Sequence, residues 1–222
     1  PCAFMDSYDP NTVFSSIDHM GRYAYANQAK IAQWNLARFA ETLLKIIDDD
    51  INKAIKLAEE TINRFSEVYQ TKWVLMMCSK LGLSNSRKGD ENLIFDLLNW
   101  MQKNKVDYTT TFYSLSKHEK PKGKIFQEEQ FKDWYQNWQN RLRENNNSLE
   151  SSINLMRSVN PSVIPRNHIV EKVLEATNGG NLKPLQNFLS VLRDPYSSRD
   201  CIKKYQTPSK SSDSVYKTFC GT

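Results

Sequence analysis

The apolar residues that follow Gln28 recur at intervals of three and four positions, a spacing that suits one face of an α-helix. Ile31, Trp34, Phe39 and Leu43 begin a pattern that predicts a helix of about five turns. No stretch of the sequence alternates apolar and polar residues convincingly with the period of two that indicates a half-buried strand. The sequence therefore predicts a mainly α fold.

Further helices are expected along the rest of the chain. Asp48–Asp50 interrupt the first pattern, and a second pattern runs over Ile51–Leu81 until Gly82, a residue type that often follows a helix end. Asp90 and Asp107 are candidate N-caps of the next two helices, because an aspartate carboxylate accepts hydrogen bonds from the free N–H groups of a first turn. The remaining predicted helices cover residues 126–144, 149–156, 168–177 and 184–192.

Large apolar side chains share one face of the helix predicted over residues 126–144. Phe131, Trp134, Trp138 and Leu142 recur at helical spacing. Aromatic residues four positions apart are more often anchors of a hydrophobic core than parts of a cofactor site. We therefore expect these side chains to be buried.

The first 27 residues differ from this helical body. Asp9, Pro10 and Gly21 are turn signals, but the segment also carries many apolar side chains. These are Phe4, Met5, Val13, Phe14, Ile17, Met20, Tyr23 and Tyr25. Because so apolar a loop must be shielded from water, we expect it to pack against the helices from Gln28 onward, and long structured loops are often functional. The predicted division is a loop over residues 1–27, a helical body over 28–195 and a polar tail over 196–222.

Charge and composition argue against several kinds of partner. The 222-residue chain carries a net charge of only +5, and the lysine-rich block at 117–124 has no accompanying aromatic platform, so we expect a solvated linker and no nucleic-acid partner. The longest apolar run, Trp73–Cys78, is far shorter than a membrane span, so no membrane partner is expected. The cysteines are too scattered for a zinc site; they are Cys2, Cys78, Cys201 and Cys220.

Familiar catalytic motifs are not evident in the sequence. It has neither a phosphate-binding glycine-rich loop nor the GxSxG and HExxH patterns. Asp6, Asp9 and Asp18 could form an acidic metal site, but carboxylates in such a loop more often form turns and caps. His19 lacks a nearby nucleophile to act on as a base, and His168 is expected at a helix start with a structural role. The residue patterns alone thus predict a helical domain without an assigned chemistry.

Several longer runs resemble one known family, the selenoprotein O (SelO) family of protein adenylyltransferases. The runs are GRYAYANQ at 21–28, WNLARFAE at 34–41, DYTTTFYSL at 107–115, NPSVIPRNHIVEKVLEA at 160–176 and TFCGT at the end. The resemblance implies the helical C-terminal lobe of a protein-kinase-like fold, with residues 1–27 as its activation segment. It also implies transfer of AMP from ATP to Ser, Thr or Tyr hydroxyls of protein substrates, with Mg or Mn as the metal.

The same resemblance implies that the chemistry lies outside this chain. The family's metal-binding Asp stands immediately before the residue that matches Pro1, and its catalytic loop and ATP-binding lobe lie further upstream. We therefore assign no catalytic, cofactor-binding or metal-binding residue here, and we expect the chain to be inactive without the missing N-terminal ATP-binding lobe. The expected location is the bacterial cytoplasm, or the mitochondrion for a eukaryotic member. The alternative is a stand-alone helical protein-interaction module.

One thiol position is also implied by the resemblance. Cys220 is third from the end, where family members carry selenocysteine or cysteine, and some bacterial members link it to a cysteine of the activation segment. Phe14 stands at the matching position here, which leaves Cys2 as the substitute in that segment. A Cys2–Cys220 disulfide is one hypothesis, and it requires Cα atoms within about 7 Å. A free tail thiol is the other.

Overall fold

A computed structural model describes residues 3–117, 121, 123–145, 148–199 and 202–209, and this part of the chain is mainly helical, as the sequence predicts. The α-helices are α1 Gln28–Ile47, α2 Ile51–Asn63, α3 Phe65–Lys80, α4 Asp90–Lys103, α5 Tyr108–Leu115, α6 Glu129–Arg143, α7 Leu149–Val159, α8 Asn167–Asn178, α9 Lys183–Leu192 and α10 Lys203–Gln206. Short 3-10 turns cover Tyr25–Asn27 and Lys124–Gln127. Over the described ranges, none of the helices is long and apolar enough to cross a membrane.

Several helix boundaries differ from the predicted ones by one to three residues, and two larger departures concern Arg64 and Asp90. The pattern over Ile51–Leu81 is divided into α2 and α3 at Arg64, whose backbone stays in the right-handed helical region. Asp90 is the first residue of α4 and not its N-cap, because Gly89 occupies the cap position with a φ of 101°. The carboxylate of Asp90 instead accepts hydrogen bonds from the Arg87 backbone N–H and the Arg141 guanidinium. Local spacing predicts the helices but not these tertiary contacts.

The main hydrophobic core lies among α3, α4, α5, α6 and α7. Trp134 and Trp138 are 5% and 0% exposed, as predicted, and their indole N–H groups donate to the carbonyl oxygens of Leu93 at 2.8 Å and Leu81 at 2.9 Å. The indoles therefore satisfy carbonyl groups at neighbouring helices while filling the core. Phe131 and Leu142 from the same face are also buried, which confirms the predicted core face of α6.

A second, smaller core joins α8, α9 and α10. Its buried members are Val163, Ile169, Val173, Phe188, Val191, Ile202 and Tyr205. The rings of Phe188 and Tyr205 stack with their centroids 5.2 Å apart. Ile202 and Tyr205 come after residue 195, where the sequence places the start of a polar tail. The division at residues 27 and 195 stays a prediction.

The apolar stripe of α1 does not enter either core. The helix contains no buried residue, and Trp34, Phe39 and Ile46 are all exposed. Many of the other exposed large apolar side chains also lie on the first three helices. They are Leu36, Ile47, Ile51, Ile55, Leu57, Val68, Tyr69, Leu75 and Met76. Helical periodicity identified an apolar face on α1, but the chain itself covers that face incompletely.

The expectation that the leading segment buries its apolar residues is wrong for most of them. Phe4, Val13, Ile17, Met20 and Tyr23 are between 40% and 92% exposed. The segment contacts the body near the start of α5 through backbone and charged groups and through the Tyr8 ring, and it leaves most of its apolar side chains exposed. Its apolar composition therefore does not reveal which contacts hold it.

Replacing Trp138 with phenylalanine is expected to lower the free energy of unfolding by about 2 kcal/mol. The substitution leaves a small cavity and removes the donor to the Leu81 carbonyl. The matched control is Trp34→Phe on exposed α1, where the loss should stay below about 1 kcal/mol. Urea unfolding followed by far-UV circular dichroism measures both, and equal losses would contradict this assignment of the core.

Candidate functional site

A short backbone pairing attaches the leading segment to the start of α5. The Tyr8 N–H donates to the Val106 carbonyl at 2.9 Å, and the Tyr108 N–H donates to the Asp6 carbonyl at 2.8 Å. Ser7 and Asp107 form an isolated antiparallel bridge between these bonds. This pairing places the Asp6 side chain beside the N-terminus of α5.

A buried arginine joins the two aspartates that this pairing brings together. Arg166 is 1% exposed, and its Nη1 lies 2.5 Å from Asp6 Oδ1 and 2.7 Å from Asp107 Oδ2. Its Nη2 donates to Asp107 Oδ1 at 3.1 Å and to Thr110 Oγ1 at 3.2 Å. We call Asp6, Asp107, Thr110 and Arg166 the Arg166 cluster. Burial acts to lower the pKa of Arg166, but hydrogen bonds and charge from Asp107 and Asp6 outweigh it, and the pKa is raised.

The Arg166 cluster also carries a helix cap and a contact from the tail. Asp107 Oδ1 accepts from the Thr110 N–H at 2.7 Å, which confirms Asp107 as the predicted N-cap of α5. Asp6 Oδ2 accepts from the Ser209 N–H at 3.2 Å. One guanidinium thus connects the leading segment, the start of α5, the loop before α8 and residue 209.

Three tyrosines pack beside this cluster. The Tyr8 ring lies 5.8 Å from that of Tyr108 in a stacked arrangement and 6.0 Å from that of Tyr25 in an edge arrangement. Burial, reinforced by Tyr25 and Asp9, raises the pKa of Tyr8 to about 12, and burial also raises the pKa of Tyr25 and Tyr108. Because these phenols stay protonated near neutral pH, they act as packing and hydrogen-bonding groups and not as general bases.

The other acidic residues of the leading segment form turns, the role that the sequence favours. Asp9 Oδ1 accepts from the Asn11 N–H at 2.9 Å, and the Asp18 carboxylate accepts from the N–H groups of Arg22 and Tyr23, each at 2.8 Å. Asp6 instead binds Arg166. Within the described ranges, no three His, Cys, Asp or Glu side chains lie close enough together to hold a metal ion.

The sequence analysis singles out two histidines, His19 and His168. His19 is exposed in the leading segment, and its role as a base stays untested. His168 is the second residue of α8, at the helix start where the sequence places it. Neither histidine belongs to the Arg166 cluster.

The thiols expected to have a redox role are beyond the described part of the chain. Cys2 and Cys220 both lie outside the described residues, so their pairing stays a prediction. Cys78 is described, and it is free and buried. Burial and the nearby Asp90 charge raise the pKa of the Cys78 thiol to about 11, so it is unreactive near neutral pH.

A cavity of about 380 Å³ lies where the leading segment meets α3 and α5. Phe4 and Phe14 line one side, and Tyr108 and Phe112 line another. Lys80 is the cationic residue in its wall and is only 9% exposed. We call this space the Lys80 cavity.

Neither the cluster role of Arg166 nor the cavity position of Lys80 was predicted from the sequence. Lys80 lies three positions after the buried Met77 on α3, so helical spacing put it beside the core face, although lysine is rarely buried. Arg166 directly precedes α8, and its partners lie 59 and 160 positions away in the sequence. No local pattern signals such distant partners.

The chain is similar to known proteins over its whole length. A family profile described as protein adenylyltransferase SelO matches residues 1–193. The chain is 50% identical over 223 aligned positions to the protein nucleotidyltransferase YdiU of Alcanivorax borkumensis, which covers 100% of this chain and 46% of that protein. The YdiU proteins of Nitrosococcus oceani and Clostridium perfringens are 49% and 47% identical, and each alignment covers 100% of this chain and 45% of the relative. The chain thus spans about half the length of the curated relatives it matches.

Replacing Arg166 with methionine is expected to lower the free energy of unfolding by about 3–5 kcal/mol, because two carboxylates lose their cation. It should also speed cleavage within residues 3–27 during limited proteolysis with chymotrypsin. The control is Arg38→Met, since Arg38 and Glu41 form an exposed pair that contributes about 1 kcal/mol or less. Equal cleavage rates in the two variants would show that the Arg166 cluster does not hold the leading segment.

The stability difference between Lys80→Met and the unmodified chain is expected to depend on pH. Burial lowers the pKa of Lys80 from 10.5 to about 8, so between these values the unfolded chain binds more protons than the folded chain. Raising the pH through this window therefore stabilises the unmodified fold relative to its unfolded state. Any stability that Lys80→Met gains over the unmodified chain at the lower pH should therefore shrink by up to about 3 kcal/mol at the higher pH. Urea unfolding at pH 7.5 and 10.5 measures the change, and exposed Lys72→Met on the same helix should show a constant difference.

Proposed function

Because the chain belongs to the SelO family of protein adenylyltransferases, we propose that it forms the helical C-terminal lobe of such an enzyme, with residues 1–27 as the activation segment. The match over residues 1–193 carries this proposal, and relatives near 50% identity are named as nucleotidyltransferases. The helical body with an attached irregular segment agrees with a kinase-like lobe. The Arg166 cluster is the contact that sets the position of the segment on that lobe.

The proposed reaction of the whole enzyme is AMP transfer from ATP to Ser, Thr or Tyr hydroxyls of proteins. ATP and Mg or Mn supply the nucleotide and the charge stabilisation that nucleotidyl transfer requires. Because the chain spans about half the length of its relatives, we propose that the metal and ATP ligands lie in the part of the enzyme upstream of Pro1. The part played by this chain is to support the activation segment, and we expect it to be inactive alone.

The exposed apolar side chains of α1–α3 support a docking role for this face. Trp34, Phe39 and Ile46 are between 48% and 80% exposed, which is unusual for large apolar residues that recur along one helix. We propose that the ATP-binding lobe of the same enzyme covers this face. We propose the bacterial cytoplasm as the setting, in line with the bacterial relatives. We expect neither a nucleic acid nor a membrane as a partner.

A chimera tests the proposed function. The N-terminal half of the Alcanivorax borkumensis relative is joined in register before Pro1, and transfer of labelled AMP to protein is measured with ATP and Mg²⁺ or Mn²⁺. The chimera should transfer AMP, whereas the 222-residue chain should not. If the intact relative is active in the same assay but the chimera is no more active than the chain, a stand-alone interaction module becomes the better explanation. Activity of the chain alone would contradict the assignment of its ligands to the upstream half.

Charged substitutions test which face meets the ATP-binding lobe. Phe39→Asp in the chimera is expected to reduce AMP transfer at least tenfold, because a carboxylate at a buried interface is strongly disfavoured. Leu174→Asp on α8 is the matched control, since Leu174 is also exposed, and it should leave activity within about twofold. Equal activity of the two variants would exclude α1 as the docking surface.

A further inference from the structure

The Lys80 cavity combines an apolar wall with a single buried cation. The leading segment supplies Phe4, Met5 and Phe14, and α5 supplies Phe112. Its volume of about 380 Å³ is at the small end of the range that accommodates organic ligands. A cavity with this wall favours a compact, mainly hydrocarbon ligand.

The Lys80 amine has no counterion among the described residues. None of the salt bridges found there involves Lys80, and its amine lies over two aromatic rings. Its Nζ lies 4.9 Å from the ring centroid of Phe112 and 5.4 Å from that of Tyr108. Cation–π contact offsets only part of the cost of burying an ammonium group. The cavity wall therefore carries a positive charge that an anionic ligand group would neutralise.

We propose that the Lys80 cavity binds a small amphipathic carboxylate of the medium-chain fatty-acid class, with its carboxylate against the Lys80 amine and its hydrocarbon body along the aromatic wall. One ammonium group matches one carboxylate charge, whereas polyphosphates require several cationic or N–H donors. The apolar wall gives an inorganic anion little to contact but shields a hydrocarbon chain from water. This ligand site goes beyond the AMP transfer proposed above.

The charged and titratable groups around the cavity make binding depend on the proton of Lys80. Tyr25 from the 3-10 turn and Tyr108 from α5 are the other titratable residues of the wall, and burial raises the pKa of both, so they stay neutral below about pH 10. The residues that the leading segment contributes, Ala3, Phe4, Met5 and Phe14, carry no ionisable side chain. Because the pKa of Lys80 is about 8, carboxylate affinity should be constant below that pH and fall above it, by up to about tenfold per pH unit.

Calorimetric titration of the 222-residue chain with decanoate tests the proposal, with decanol as the uncharged probe of equal length. At pH 7 decanoate should bind at least tenfold more tightly than decanol. Lys80→Met should weaken decanoate binding at least tenfold and leave decanol binding unchanged. Lys72→Met removes an exposed charge from the same helix and should affect neither probe. Equal binding of the two probes, absence of decanoate binding, or unchanged decanoate binding by a folded Lys80→Met variant would overturn the proposal.

Nuclear magnetic resonance gives a second measurement that needs no variant of Lys80. The ¹³Cε resonance of Lys80 reports its titration in the unmodified chain, with the midpoint expected near pH 8 without ligand. Saturating decanoate should move this midpoint upward, because a bound carboxylate favours the ammonium form. Decanol should leave the midpoint unchanged or lower it. An unchanged midpoint with bound decanoate would place the carboxylate away from Lys80 and overturn the assignment.

Discussion

The buried guanidinium of Arg166 is the interaction on which the placement of the leading segment depends. It binds carboxylates from two parts of the chain that lie far apart in sequence, and one of them also caps α5. The cost of burying this cation is offset by both aspartates and Thr110, which accept hydrogen bonds from Nη1 and Nη2. The backbone pairing of residues 6–8 with residues 106–108 holds the same two segments together.

The position of the leading segment in turn shapes the tyrosine contacts and the Lys80 cavity. Tyr8 packs against both Tyr25 and Tyr108. Phe4 and Phe14 complete the wall of a cavity whose remaining wall contains Lys80. Lys80 in that wall is only 9% exposed.

Much of the fold follows from local patterns. The apolar spacing predicted α1 and the core face of α6, and the chemistry of aspartate predicted the N-cap at Asp107. The break at Arg64 was not predictable from apolar spacing, since the spacing continues across it. The role of Asp90 was not predictable from local sequence because its partner, Arg141, is 51 positions away. The exposure of α1 also escapes a local pattern, since periodicity shows that a face is apolar without showing what covers it.

The sequence by itself determined the helical class, the main helix positions and, through its long family-specific runs, membership of the SelO family. These properties rest on short-range spacing and on residue identity, both of which are visible in one dimension. Only the tertiary structure decided that Arg166 joins Asp6 to Asp107 and that Lys80 lies in the wall of an apolar cavity. The burial of a charge and the distance to its partners are set by how remote segments pack, and no local arrangement of residues specifies them.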